Sequence, residues 1–164
     1  MSVKNIKVFF QNIWKNNLLT NTILETYISF DVIFIQEPSW TTIHLIPSLK
    51  SEDGEILVGV PNHPNWLIFS RTSSSANDFP KVIMYINIRL SPLCFSLYKY
   101  IFNHRDISII SFFNQNNIFF LINIYSEFSQ LALKYFKNTE VNINNVLIMT
   151  GDFNIRDSLW GTNY

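Results

Sequence analysis

The segment that most constrains this chain lies close to its end, where Val146 to Asn154 reads VLIMTGDFN. Val146 to Thr150 is an unbroken apolar or β-branched run, the pattern of a strand buried on both faces. It leads into Gly151, one of four glycines in 164 residues, and then into Asp152, Phe153 and Asn154. A carboxylate and a carboxamide are thereby set at the carboxyl end of a buried strand, where α/β sheets bind their ligands. Strand alternation sends Asp152 and Asn154 to one side and lets Phe153 turn into the core. A carboxylate beside a neutral amide can hold water or a metal next to a phosphate. Gly, Asp and Asn are also turn formers, so the segment taken alone reads equally as a strand-end turn.

Upstream, the same kind of ending recurs. Ile6 to Phe10 reads as a strand that ends in Gln11 and Asn12. Asn16 to Phe30 carries Leu18, Leu19, Ile23, Leu24, Tyr27 and Ile28 at helical spacing, with Thr20 and Asn21 on the opposite face. Asp31 to Gln36 is a second buried strand, stopped by Glu37 and Pro38 because proline cannot donate to a ladder. Strand, helix, strand implies a right-handed crossover and parallel pairing. Residues 39–53 read as irregular. Glu55 to Val60 and Asn65 to Ser70 read as strands flanking a Pro-Asn-His-Pro turn, and residues 71–78 as a polar surface loop. Pro80 to Leu90 alternates as a strand. Asp106 to Phe113 and Ile118 to Tyr125 form a hairpin around a four-residue turn, Asn114 to Asn117, and Glu127 to Asn138 reads as a short helix.

Length and composition fit one domain, residues 1–164, with enough apolar side chains (48%) for a core. The zero net charge removes the overall basic footprint of a nucleic-acid binder and leaves only a local patch open. A single cysteine, Cys94, excludes an internal disulfide and fits a reducing, intracellular compartment. No apolar run reaches membrane-spanning length and no signal peptide is evident, so no membrane partner is expected.

Four strand ends therefore carry Asn12, Glu37, Tyr125 and the Asp152–Asn154 pair. Neighbouring strands of one sheet would bring them together. Two carboxylates with amide and hydroxyl partners suit a hard cation such as Mg2+ or Mn2+ rather than zinc, and no cofactor beyond a divalent metal is expected. Asn12 also fits a helix cap, Glu37 a solvated strand end and Tyr125 a core tyrosine with a satisfied hydroxyl. No G-x-S-x-G elbow or phosphate-binding glycine motif occurs.

In order along the chain, Gln11-Asn12, Gln36-Glu37-Pro38, Asn123 to Ser126 (NIYS) and GDFN resemble the motifs of the endonuclease/exonuclease/phosphatase superfamily. QEPSW at 36–40, FPKVIMYINIRL at 79–90 and GDFNIRDSLWG at 151–161 are most similar to the apurinic-type endonuclease of fungal non-LTR (LINE-like) retrotransposons. The resemblance implies an α/β fold, a two-sheet αββα sandwich, and metal-dependent phosphodiester hydrolysis of DNA, by a monomer acting in the nucleus. It implies Glu37 as metal ligand with Asn12 beside it, Asp152 as the group that orients or deprotonates water, and Asn154 on the scissile phosphate. Tyr125 would steady that phosphate, and Arg156 would reach one. The family's domain closes with a Ser-Asp-His motif that this chain does not show before Tyr164. By resemblance the fold is then incomplete at its C-terminus and the activity impaired. An inactive nuclease remnant and a phosphatase of small phosphoesters are the alternatives.

Overall fold

The computed structural model describes residues 6–46, 55–71, 78–98, 104–114, 117–127, 129–138 and 145–154. The first four-stranded sheet is built from β1 (Val8–Asn12), β2 (Val32–Gln36), β5 (Trp66–Phe69) and β6 (Val82–Asn87), in the order β1-β2-β6-β5. The second runs β10-β9-β8-β7, from β7 (Ser96–Leu97), β8 (Ile107–Asn114), β9 (Asn117–Tyr125) and β10 (Val146–Asp152). A separate two-stranded ribbon pairs β3 (Thr41–Ile46) with β4 (Glu55–Gly59).

The two large sheets pack face to face, and alternation along each strand sorts the core into three parts. Val32, Phe34, Met84 and Ile86 of the first sheet meet Ile110, Phe112 and Leu121 of the second. The opposite faces carry Ile33, Ile35, Ile83 and Tyr85 against helix α1 (Asn17–Thr26), and Ile107, Ile109, Ile122 and Ile124 against α2 (Leu131–Asn138). Every residue of β2 and β6 is buried because both faces of these strands are covered. This is the expected helix–sheet–sheet–helix order. β1 and β2 pair in parallel across α1, as a right-handed crossover requires.

Asn16 caps α1, its side-chain oxygen accepting from the Leu19 N–H at 3.0 Å. The buried face of α1 is Thr20, Ile23 and Leu24, with Leu19 and Tyr27 alongside. Thr20, expected on the outer face, is fully buried, and its hydroxyl donates to the Asn16 carbonyl at 3.1 Å. Leu18 and Ile28 are exposed instead. A threonine whose hydroxyl is satisfied within the helix buries like an apolar residue, so polarity alone misjudged the face.

Other expectations are corrected as well. Residues 41–46, read as irregular, form β3 because β4 supplies a partner. The strands expected on either side of the Pro61–Pro64 turn both form, and β5 pairs with β6. The hairpin turn is tighter than expected, since Asn114 and Asn117 are themselves paired. The strand from Pro80 is shorter, with a 3-10 helix over Ile88–Leu93. The expected surface loop lies mostly outside the described residues. β10 is not buried on both faces: among the described residues it has β9 as its one neighbour, and Leu147 and Met149 are 44% and 42% exposed. An apolar run reports a preference for burial, whereas its place in the sheet depends on distant strands.

One buried contact fixes the register between the two sheets, and one close approach fixes it within the second sheet. Asn123, fully buried, donates from Nδ2 to the carbonyls of Ile35 (3.1 Å) and Ile83 (3.0 Å), and its Oδ1 accepts from Gln36 Nε2 at 2.7 Å. Gly151 faces Ile124 in the parallel ladder, and a Cβ there would stand 2.0 Å from the Ile124 carbonyl oxygen. Asn123→Ala leaves three buried partners unpaired at about 1–3 kcal/mol each. It should lower the unfolding free energy by about 3 kcal/mol or more, read from urea denaturation. Gly151→Ala meets backbone that cannot swing aside and should lower it by about 1–3 kcal/mol in the same assay.

Candidate active site

Strand alternation also decides where the polar side chains go. Val8, Val32, Leu121 and Ile148 all join the core between the sheets. Two or four residues further along the same strands stand Asn12, Gln36, Asn123, Tyr125 and Asp152, on the same inner side. The apolar filling between the sheets therefore gives way to polar groups at the carboxyl ends. The expected constellation forms, but not within one sheet: Asn12 and Glu37 come from the first sheet, Tyr125 and Asp152 from the second. Chain order shows that four strands end in polar residues, and only packing shows that they lie on facing layers.

Asn12 is the centre of the site. Its Nδ2 donates to Glu37 Oε1 and to Asp152 Oδ2, each at 2.9 Å, so one amide nitrogen joins the two sheets' carboxylates. Its Oδ1 accepts from the Trp14 N–H at 3.0 Å, which determines which way the amide faces. Asp152 Oδ1 accepts from the Asn154 N–H at 3.3 Å. That contact is an Asx turn, so the turn reading and the site reading of GDFN are both realised. Asn154 Nδ2 donates to the Ser126 carbonyl at 2.9 Å, which leaves its second amide hydrogen available. Phe153 packs against the α2 side of the core, as alternation requires.

Glu37 follows β2, where a further extended residue would point towards α1. Instead it is left-handed, with φ 48°, and its carboxylate meets Asn12. Trp14 (φ 45°), Lys15 (φ 60°) and Asn154 (φ 43°) are left-handed too. Such conformations cost about 1–3 kcal/mol each in non-glycine residues and cluster at functional sites. Backbone bonds hold two of them in place, Lys15 N–H to the Glu37 carbonyl at 2.7 Å and Glu37 N–H to the Lys81 carbonyl at 2.8 Å.

Burial pushes the Tyr125 phenol up to about 12; the negative charge of Glu37, a hydrogen bond to its carboxylate and the charge of Asp152 add to this. The phenol is thus a donor, held protonated beside two carboxylates. Lys81 stands over the Tyr125 ring, 5.1 Å from its centroid, and pairs with Glu127. Burial lowers the Lys81 ammonium below the usual lysine range, partly offset by Asp106. Asp106 is buried and shifted upwards by that burial, against the pull of Arg105 and His104. His104 Nδ1 accepts the Asp106 N–H at 3.2 Å, so this imidazole is neutral, in line with its lowered value.

Lys81, Arg105, Asp106 and Glu127 were not singled out from the sequence. Lys81 lies within the FPKVIMYINIRL motif, which was the available signal. The others sit on turns whose neighbours are set by packing. His104 lies outside helix and strand, packs on Tyr135 and lies 4.0 Å from Asp106. Arg156 lies outside the described residues. Among the described residues, no group of three or more His, Cys, Asp or Glu side chains gathers to hold a metal. A hard cation does not need one. One or two carboxylates with water suffice for Mg2+, and the convergence of Glu37 and Asp152 on Asn12 fits that donor set.

No family model matches the chain, and no curated protein matches it either. Among solved structures, it is similar to the endonuclease domain of TRAS1, a telomere-specific non-LTR retrotransposon, with a TM-score of 0.65 and 16% identity. The match covers 96% of this chain and 63% of that one, so the chain spans less than two thirds of that domain. The fold is that of the retrotransposon endonuclease domain, as the motifs led one to expect. Among the described residues no helix is long and apolar enough to cross a membrane.

The raised phenol has a consequence for stability. The folded chain keeps the Tyr125 proton in a range where an unfolded tyrosine, titrating near 10, loses it. This contribution is complete below about pH 10 and is lost as pH rises towards about 12. Wild type should therefore lose stability more steeply over that window than Tyr125→Phe, measured as urea midpoint against pH.

Proposed function

We propose that the chain carries a nuclease-type site that hydrolyses phosphodiester bonds of DNA with a divalent metal, Mg2+ or Mn2+. The observation that supports this most directly is the Asn12 amide joining Glu37 and Asp152 across the two sheets, in a fold shared with a retrotransposon endonuclease domain. It agrees with the motif resemblance to the endonuclease/exonuclease/phosphatase superfamily, and from that resemblance we take DNA in the nucleus as the substrate.

Glu37 is the residue to hold the metal, with Asn12 beside it as the donor that keeps both carboxylates converged. When bound, the metal supplies positive charge against the charge that grows on the phosphate oxygens. Asp152 orients the attacking water and accepts its proton as the oxygen approaches phosphorus and the P–O bond opposite breaks. Asn154 donates its remaining amide hydrogen to a phosphate oxygen, and the protonated Tyr125 hydroxyl steadies the same group. Lys81 adds a cation beside Glu37. Arg156 is assigned a phosphate contact through the resemblance alone.

Nicking of supercoiled plasmid by the full chain, titrated with Mg2+ and Mn2+, tests this reading. Asp152→Asn should lower the nicking rate by about 10²–10⁴, the usual contribution of a positioned acid–base group. Glu37→Gln should raise the Mg2+ concentration for half-maximal rate more than Asp152→Asn does. Nicking that needs no metal, or that is indifferent to both substitutions, would remove the assignment.

A further inference from the structure

Lys81 meets the site twice, once through its backbone and once through its side chain. It stands just before β6 of the first sheet, and its carbonyl accepts the N–H of the left-handed Glu37 at 2.8 Å. Its own N–H donates to the Arg105 carbonyl at 2.9 Å, just before β8 of the second sheet. The next carbonyl, that of Asp106, accepts the Tyr125 N–H at 2.8 Å. The backbone of Glu37 is thereby tied, through Lys81, to the backbone that carries Tyr125. Any residue but proline could supply these main-chain bonds.

The side chain makes the same connection, and it needs a cation to do so. The Lys81 ammonium pairs with Glu127 and stands 5.1 Å from the centroid of the Tyr125 ring. Tyr125 ends β9 and is half-buried, so packing alone leaves its ring free to take more than one orientation. The phenol nevertheless donates to the Glu37 carboxylate, which requires one orientation. A cation over an aromatic face is attracted by the ring's quadrupole and favours the ring position that keeps the two together. Lys81 and Glu127 are both partly exposed, so their ion pair adds little to overall stability. Its effect is on where the ammonium stands.

We propose that Lys81 is a positioning residue for the Tyr125 hydroxyl, with Glu127 as the anchor that keeps its ammonium over the ring, an inference that rests on the phosphodiesterase reading of the site. The cation beside Glu37 then works through Tyr125 and touches neither metal nor phosphate. One residue holds both ends of the Tyr125–Glu37 hydrogen bond, Glu37 by its carbonyl and Tyr125 by its side chain. A reacting group is productive only when its neighbours lock it in place, and the half-buried Tyr125 owes that lock to a charge.

The test is a double-mutant cycle of Lys81→Met and Tyr125→Phe on plasmid nicking by the full chain, beside fluorine NMR of the metal-free chain labelled with meta-fluorotyrosine. The Tyr125 line is identified by its loss in Tyr125→Phe. Lys81→Met should move that line and lower kcat by about 2- to 30-fold, the range of one cation–ring contact, with KM for plasmid unchanged. In the Tyr125→Phe background the same substitution should leave kcat where it was. Lys81→Arg keeps a cation over the ring and should recover most of the rate. Glu127→Gln should move the Tyr125 line in the same direction, and it serves in place of Lys81→Met should the urea midpoint show that variant to be unfolded. An unmoved Tyr125 line would overturn the proposal. So would a loss of kcat equally large in the Tyr125→Phe background, or a loss confined to KM, which would make Lys81 a direct phosphate contact. A moved line in a chain that does not nick would keep the hold of Lys81 on Tyr125 and remove the nuclease reading.

Discussion

Everything at the candidate site hangs on one buried contact between layers, the hydrogen bond from Gln36 to Asn123 at 2.7 Å. Apolar packing presses the two sheets together but says little about their relative register, because it is non-directional. Asn123 adds direction. It binds the carbonyls of Ile35 and Ile83 as well as Gln36, and so ties β9 to β2 and β6 at once. The residue after Gln36 is Glu37, and two residues after Asn123 stands Tyr125. A slip between the sheets would break a fully satisfied buried network and separate these two groups in the same motion. Such networks are costly when partly satisfied, which is what makes this one specify a single arrangement.

From that anchor the site is assembled by small departures from regular structure. β2 ends in a left-handed Glu37, the turn after β1 runs through left-handed Trp14 and Lys15, and β10 ends in the Asx turn of Asp152 and Asn154. Each is unfavourable by itself and is held by a hydrogen bond to a neighbouring strand end. Gly151 serves the opposite need. It lets β10 lie close against β9, so that Asp152 reaches the inner side opposite Asn12.

The electrostatics follow the same division. Asp106, Glu127, Lys81 and Arg105 largely answer one another beside the carboxylate pair, so a chain with no net charge keeps strong local fields. Tyr125 lies between the two groups, protonated by burial and by the carboxylates it faces. Lys15 stands apart from this pairing on the open side of Glu37.

Much of this was legible in the residues. The apolar runs ending in Asn12, Glu37, Tyr125 and GDFN announced strands with chemistry at their carboxyl ends, and their order carried the resemblance to retrotransposon endonucleases. Periodicity also placed both helices and the parallel β1–β2 pair, because these are local or depend on a short crossover. What it could not place were relations between distant segments: β10 with β9 as its one neighbour among the described residues, β5 beside β6, β3 as a strand, and Thr20 facing inward. Which side chains stand at strand ends follows from residue order alone, since alternation and turn chemistry act over a few residues. That Asn12 and Glu37 face Asp152 and Tyr125 across two layers, with Trp40 and Lys81 bordering Glu37, is settled by the packing of the folded chain. Sheet packing joins residues far apart in the chain, and no local preference encodes which surface meets which.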